Sequence, residues 1–258
     1  MKKQLACLIA LVLMSAVCNA REITALSEGW TADGGGKRPW KMFERRVGMF
    51  VHWGAYSVLG YHEQARWRLR MSRADYRKAV SGFAAERFSA DGLVAAAESL
   101  GAEYIVITTK HHDGFCMWDT KTTDYKITNT AFGRDVVREY VDACREAGMR
   151  IGFYFSIIDW HHPHFTIDVN HPLRPRGGFT DESYARLNKG RDMAKYREYM
   201  FAQVRELLTW YGKIDIIWFD FSVGPSARFA GKGKEVWRSE ELLEKIRKIA
   251  PNIIIDDR

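Results

Sequence analysis

Cysteine is scarce in this 258-residue chain. Four occur, two of them (Cys7 and Cys18) in the first twenty residues, which leaves Cys116 and Cys144. Two cysteines make no disulfide framework, so buried free thiols are expected, although a secreted setting permits one bridge. The formal net charge of +7 contains no block of basic residues interleaved with aromatics of the kind that tracks a nucleic-acid backbone. A solvated surface is expected rather than a nucleic-acid partner. No Gly-x-Gly-x-x-Gly follows a predicted strand, which counts against a dinucleotide-binding sheet. No Gly-x-Ser-x-Gly occurs, and Cys116 has no evident activating neighbours, so serine or cysteine nucleophiles lack their signal. The apolar run Ala6 to Val17 is too short to span a bilayer.

That run has another reading. Lys2 and Lys3 precede it and Cys18-Asn19-Ala20 follows, the form of a secretory signal over residues 1–20. A secreted or periplasmic protein with no membrane attachment after cleavage is expected. A lipoprotein acylated at Cys18 is the weaker alternative, because bulky Val17 sits just before it. Losing Lys2 and Lys3, and no acid, takes the formal charge from +7 to +5. Residues 21–258 then suffice for one large domain.

Strand and helix patterns alternate through that domain. Gly48-Met49-Phe50-Val51-His52-Trp53-Gly54 reads as a strand ending in a histidine, and a polar, aromatic loop with Tyr61, His62, Glu63 and Trp67 follows. A helix is predicted from about Ser89 to Leu100, capped by Ser89, with Leu93, Ala97 and Leu100 on one face and Gly101 as its stop. Tyr104 to Lys110 is the second strand and leads into His111-His112-Asp113-Gly114. A second helix starts at Asp135, with Val136, Val137, Tyr140, Val141 and Cys144 at helical spacing, and stops at Gly148. Arg150 to Ser156 is the third strand, followed by Asp159-Trp160-His161-His162-Pro163. Residues 159–195 show no clear period and read as a long loop, functional or disordered. A helix bearing Met200, Val204, Leu207, Leu208 and Tyr211 then closes at Gly212.

Next comes Ile214-Asp215-Ile216-Ile217-Trp218-Phe219-Asp220, a buried strand that ends in a carboxylate. Alternate side chains of a strand share a face, so Trp218 and Asp220 point the same way and Ile217 and Phe219 the other. A last helix begins near Ser239, with Glu240 and Glu241 suited to its N-terminal dipole, and Asn252 to Arg258 is the fifth strand. Strands apolar on both faces, alternating with helices, indicate a parallel sheet covered by helices. The alternatives are a doubly wound sheet and a (β/α)8 barrel of which about five units are present, so a C-terminally truncated barrel is expected.

All eight histidines, at positions 52, 62, 111, 112, 161, 162, 164 and 171, lie at or just beyond the ends of the first three strands. On a barrel these ends share one rim, suited to a hydroxyl-rich ligand. A metal hydrolase would want paired ligands on one face, whereas the adjacent pairs His111-His112 and His161-His162 would point to opposite sides in extended backbone. Carboxylate chemistry on a neutral sugar remains: one acid attacks the anomeric carbon and another protonates the leaving oxygen.

Met49-Phe50-Val51-His52-Trp53-Gly54, Lys110-His111-His112-Asp113-Gly114-Phe115, Asp159-Trp160-His161-His162-Pro163 and Trp218-Phe219-Asp220 resemble, in order and spacing, the motifs of the glycoside hydrolase family 29 α-L-fucosidases. The resemblance covers about residues 38–258. It implies a (β/α)8-like barrel, often followed by a β-sandwich domain, and a retaining double displacement that needs no metal or other cofactor. It implies that Asp220 is the nucleophile, that His52, His111 and His112 bind fucose hydroxyls, that Tyr154 lies near the anomeric centre, that Trp218 lines the sugar pocket and that Arg258 contacts the sugar. Packing is the plain alternative for His52, Tyr154 and Trp218.

Two departures stand out. Some members carry Glu-Trp after the first strand; here the nearest candidates are Glu63 and Trp67, with Arg66 where that glutamate would sit. The acid/base glutamate of the family falls beyond Arg258. The expected substrate is a fucosylated oligosaccharide or glycoconjugate, with linkage and oligomeric state open. A fucose-binding protein that has lost hydrolysis is the runner-up, and a metal-dependent barrel hydrolase is third.

Overall fold

The computed structural model describes residues 47–220 and 231–257. The expected signal at residues 1–20 and the sugar-contacting role expected of Arg258 fall outside them. Within the described residues the chain builds a parallel five-stranded sheet in the order β1-β2-β3-β4-β5: Gly48–Val51, Tyr104–Lys110, Arg150–Ser156, Ile216–Asp220 and Ile254–Asp257. Each strand pairs with its neighbour in sequence. Sequential parallel pairing requires a crossover after every strand, and helices supply it. Short helices α1 (Ala65–Arg68) and α2 (Arg73–Ala79) and the longer α3 (Ala90–Ser99) lie between β1 and β2, and α4 (Val136–Glu146) between β2 and β3. Helices α5 (Asp181–Asn188) and α6 (Met193–Trp210) precede β4, and α7 (Lys234–Trp237) and α8 (Ser239–Ile249) precede β5.

The helices begin where side chains satisfy their first amides. Ser89 accepts from the Gly92 amide at 3.0 Å, Asp135 from Arg138 at 2.9 Å and Asp192 from Ala194 at 2.8 Å. Such caps are worth about 1 kcal/mol each. α4 buries Val136, Val137, Tyr140, Val141 and Cys144, as its spacing requires, and α6 buries Met200, Val204, Leu207 and Leu208. Cys116 and Cys144 are free and buried, and burial pushes the Cys144 thiol up to about 12. Gly152 on β3 marks a close approach: a Cβ there would lie 2.7 Å from a Val106 methyl and 2.9 Å from the Ile105 carbonyl.

Three expectations need correction. The face of α3 turned inward is Ala90, Val94 and Ala97, and Leu100 is 48% exposed, because the helix ends before Leu100 and Gly101 turns the chain at φ +69°. Residues 159–195 are not one structureless loop. Thr180 caps α5 with a reciprocal bond from Ser183, a polar start that a hydrophobic period does not reveal. Nor is every strand buried on both faces: β1 stands at the sheet edge, and Phe50 is 40% exposed there.

Candidate active site

The two faces of the sheet differ in kind. Phe153, Phe155, Ile217 and Phe219 face the helices in the main core, whereas Val106, Tyr154 and Ile216 form a second cluster with Tyr104, Trp218 and Ile254 against it. Register sets Tyr154 beside Trp218 and Ser156 beside Asp220 across β3 and β4. The period of two thereby gathers a tyrosine, an indole, a hydroxyl and a carboxylate near the C-terminal strand ends.

Asp220 is 5% exposed. Its Oδ2 accepts the Tyr154 hydroxyl at 2.5 Å and lies 3.7 Å from His112 Nε2. Its Oδ1 is buried and has no hydrogen-bond partner among the described residues. On the other side of the His112 ring, Nδ1 lies 2.5 Å from Ser156 Oγ, and the Ser156 hydroxyl also donates to the Ile158 carbonyl at 2.8 Å. Those two bonds use Ser156 as acceptor from His112 and donor to the backbone, which places a proton on His112 Nδ1.

His111 stacks on Tyr154 with ring centroids 5.2 Å apart and an 11° angle, and His52 lies 4.8 Å from Tyr154 and 5.4 Å from His111. Phe50 stacks on His52 at 4.9 Å and meets Trp218 edge-on at 5.2 Å. Burial, then the neighbouring His112 and His52, hold His111 well below the usual imidazole range, so it is neutral at pH 7. Its buried Nδ1 has no partner. Burial, with the Asp220 charge next, keeps Tyr154 a hydroxyl at any working pH.

The expectation that His111 and His112 diverge fails, since their ring centroids are 4.2 Å apart. The cause is local. The register of β2 against β3 shifts between Thr108 and Lys110, and the chain then turns, with the Gly114 amide bonded to the His111 carbonyl at 3.0 Å. Gly114 sits at φ +80°, and a Cβ there would collide with Asp159. His111, His112 and Asp220 each offer a ligand atom, and these atoms lie within 4.8 Å of one another. Around one tetrahedral zinc, neighbouring donors sit roughly 3.4 Å apart, so this set would have to close to hold a metal.

The remaining histidines serve loop packing. His161 stacks on Tyr125 at 4.1 Å and His162 lies 4.2 Å from Tyr199; burial lowers both to about 4. The amides of Gln64, His164 and Leu173 donate to His62, His162 and His171. Glu63 is half-buried, 3.9 Å from His62, and its charge reaches Tyr154. Trp67 is not among the rings around Asp220 and is packed by Arg174 instead, 3.7 Å from the indole centroid.

The sequence reading omitted Ser156, Tyr56 and Asp113. Ser156 was within reach, since it is the last residue of a predicted strand. Tyr56, buried 5.5 Å from the His111 ring, lies in a short 3-10 helix, Ala55–Leu59, with no period to reveal it. Asp113 is raised to about 6 by burial, despite the Tyr76 hydroxyl at 2.6 Å and the Phe115 amide at 3.2 Å.

A carboxylate held by a tyrosine and flanked by imidazoles, that of His111 neutral, and an indole suits a polyhydroxylated ring. A family model described as alpha-L-fucosidase matches residues 14–258. The chain belongs to the alpha-L-fucosidase family. Over 239 residues it is 25% identical to an alpha-L-fucosidase of Dictyostelium discoideum, covering 83% of this chain and 47% of that one. The alpha-L-fucosidase isoenzyme 1 structure from Paenibacillus thiaminolyticus superposes with a TM-score of 0.76 at 41% identity, covering 86% of this chain and 50% of that one. Alpha-L-fucosidase AlfC from Lactobacillus casei, solved with α-L-fucose product, superposes at 0.69 and 26% identity, covering 85% and 69%. The chain spans about half the length of the curated fucosidases it matches. Its parallel α/β fold is close to that of solved family members.

Proposed function

We propose that the protein hydrolyses terminal α-L-fucose from glycans with retention of configuration, through a covalent ester on Asp220. The observation that carries this reading is the division of labour between the carboxylate oxygens. Oδ2 is fixed by Tyr154, with His112 close by, while Oδ1 is buried and unpartnered. A nucleophile needs one free oxygen in a fixed orientation, and a carboxylate present only for structure would have both satisfied. Neutral His111, with an open Nδ1, and His52 are placed to exchange hydrogen bonds with sugar hydroxyls. Trp218 offers an apolar wall to the deoxy face. A retaining mechanism also needs a proton donor about 5 to 5.5 Å from the nucleophile, worth on the order of 10² to 10⁴ in rate. This reading places the donor outside the described residues.

Residues 1–20 carry the pattern of an export signal, and secretion belongs to the same proposal, as does the closure of this sheet into an eight-unit barrel. The decisive experiment is hydrolysis of 4-nitrophenyl α-L-fucoside by the full-length protein, whose good leaving group needs little protonation. A 2-fluoro-fucosyl reagent should label Asp220. Turnover with the label on another residue would refute the assignment, and no turnover would refute the activity.

A further inference from the structure

One short segment of this chain is rich in arginine. In Arg66-Trp67-Arg68-Leu69-Arg70 every second residue is an arginine, and the segment lies on and just after α1, in the connection that follows β1. Arg174 reaches the same place from the connection after β3. Its guanidinium carbon is 3.7 Å from the Trp67 ring centroid, and that of Arg68 is 5.2 Å from it. Arg70 donates to the Arg174 backbone carbonyl. Arg70 does so from φ +51°, a left-handed conformation that non-glycine residues rarely adopt. Backbone strain of this kind is retained where a side chain must be aimed.

Other surface arginines differ. Arg134, Arg150 and Arg238 each pair with a glutamate. Among the described residues no carboxylate pairs with Arg68, Arg70 or Arg174. After burial, the charges of Arg70 and Arg68 are what lower Arg174, so the three are close enough to repel. Arg66, 1% exposed, turns away from them: its guanidinium lies 5.7 Å from the Tyr76 ring centroid and interacts with the charges of Asp113 and Asp159. Guanidiniums gathered on an indole without an acid present bidentate donors to an anion from outside. The connection bearing them also borders the pocket, since the charges of Glu63 and His62 act on Tyr154 and His111.

We propose that Arg68, Arg70 and Arg174, gathered around Trp67, form a subsite for an anionic substituent, a sulfate ester or a carboxylate, on the glycan that carries the fucose. The proposal rests on the fucosidase reading above for where the fucose sits. A neutral glycan would leave the arginines facing one another across water.

The test compares kcat/KM of the full-length protein on fucosylated N-acetyllactosamine, its 6-sulfated form and its sialylated form. At about 0.01 M ionic strength, one or both anionic forms should be preferred about tenfold, and the preference should fade near 1 M salt, where screening acts within about 3 Å. Which form is preferred distinguishes sulfate from carboxylate. In the R70Q/R174Q double variant the ratio should fall to about one; being a ratio, it is insensitive to any loss of folded protein. Calorimetric titration with 6-sulfated and sialylated N-acetyllactosamine, both lacking fucose, reads the subsite without turnover. Cleavage of 4-nitrophenyl α-L-fucoside with no anionic preference and no binding of either disaccharide would overturn the subsite and leave the fucosidase reading intact. Anionic preference that survives in R70Q/R174Q would also overturn it. Without any fucoside cleavage, the fucosidase reading falls and the titration alone decides: binding lost in the double variant keeps the subsite, and no binding removes it.

Discussion

Two buried polar regions lie close together in this molecule, and they are finished differently. Between β2 and α6, Lys110 donates to Gln203 at 3.0 Å and lies 3.5 Å from Asp159, while Gln203 donates to Thr122 at 3.0 Å. Asp159 Oδ1 accepts the amides of His161 and His162 at 2.9 and 2.8 Å. Deeper along α6, Glu206 accepts from Trp118, Thr120 and the Lys121 amide. At the ends of β2 and β4, by contrast, His111 Nδ1 and Asp220 Oδ1 are buried and without a partner among the described residues. A closed network holds the scaffold; an open one has polar atoms left to meet a ligand. The cost of an unmet buried polar atom, about 1–3 kcal/mol, makes the difference meaningful.

The largest expected effect tests the open side. Replacing Asp220 by Asn in the full-length protein should lower kcat on an aryl fucoside by about 10⁴-fold or more, as loss of a nucleophile does. Stability should hold or rise, since a buried charge with one unmet oxygen is removed. Urea denaturation that showed Asp220→Asn strongly destabilised would move Asp220 to the scaffold side of the comparison. The mirror experiment is Lys110→Met, which takes from buried Asp159 the cation paired with it at 3.5 Å. It should cost about 3–5 kcal/mol in the same denaturation assay while kcat per folded molecule changes little. A large fall in kcat without loss of stability would show that the two regions are one.

Asp113 lies between these extremes, bonded by Tyr76 and Phe115 yet still raised to about 6 from 3.8 by burial. A carboxyl that holds its proton more tightly when folded makes the native state bind more protons than the unfolded chain between those values. Its contribution to stability is therefore full below pH 3.8 and is lost as pH rises to 6, by up to about 3 kcal/mol at 1.36 kcal/mol per unit. Asp113→Asn should remove that loss, so the difference in unfolding free energy between wild type and variant should grow from pH 4 to pH 6. A difference that is flat with pH would mean Asp113 titrates normally.

How much of this was legible beforehand follows from what each feature depends on. The strands Tyr104–Lys110 and Arg150–Ser156 and the caps at Ser89 and Asp135 rest on local chemistry, and the sequence determines them. The same-face placement of Trp218 and Asp220 follows from the strand period. The proximity of His111 and His112 does not, because a register shift and the turn at Gly114 decide it. Counting eight histidines on one rim treated them alike, whereas tertiary packing sends His161 to Tyr125 and His162 to Tyr199. The arginine cluster was equally hidden, since Arg174 lies more than a hundred residues from Arg70.

The smallest of these effects isolates a single oxygen. Tyr154→Phe keeps the ring that stacks on His111 at 5.2 Å and meets Phe50 edge-on, and removes only the hydroxyl that donates to Asp220 at 2.5 Å. A hydrogen bond to a charged group is worth about 1.5–3 kcal/mol, so kcat/KM on an aryl fucoside should fall about tenfold to a hundredfold. The fall should appear in kcat more than in KM, because the hydroxyl orients the attacking carboxylate and need not hold the sugar. Stability should change by no more than about 1.5 kcal/mol, the ordinary net worth of one buried bond. If kcat/KM were unmoved, Asp220 would be oriented by β4 and His112 without Tyr154. Both carboxylate oxygens would then count as only loosely tied, and the division of labour between Oδ1 and Oδ2 would no longer separate this site from the closed network beside it.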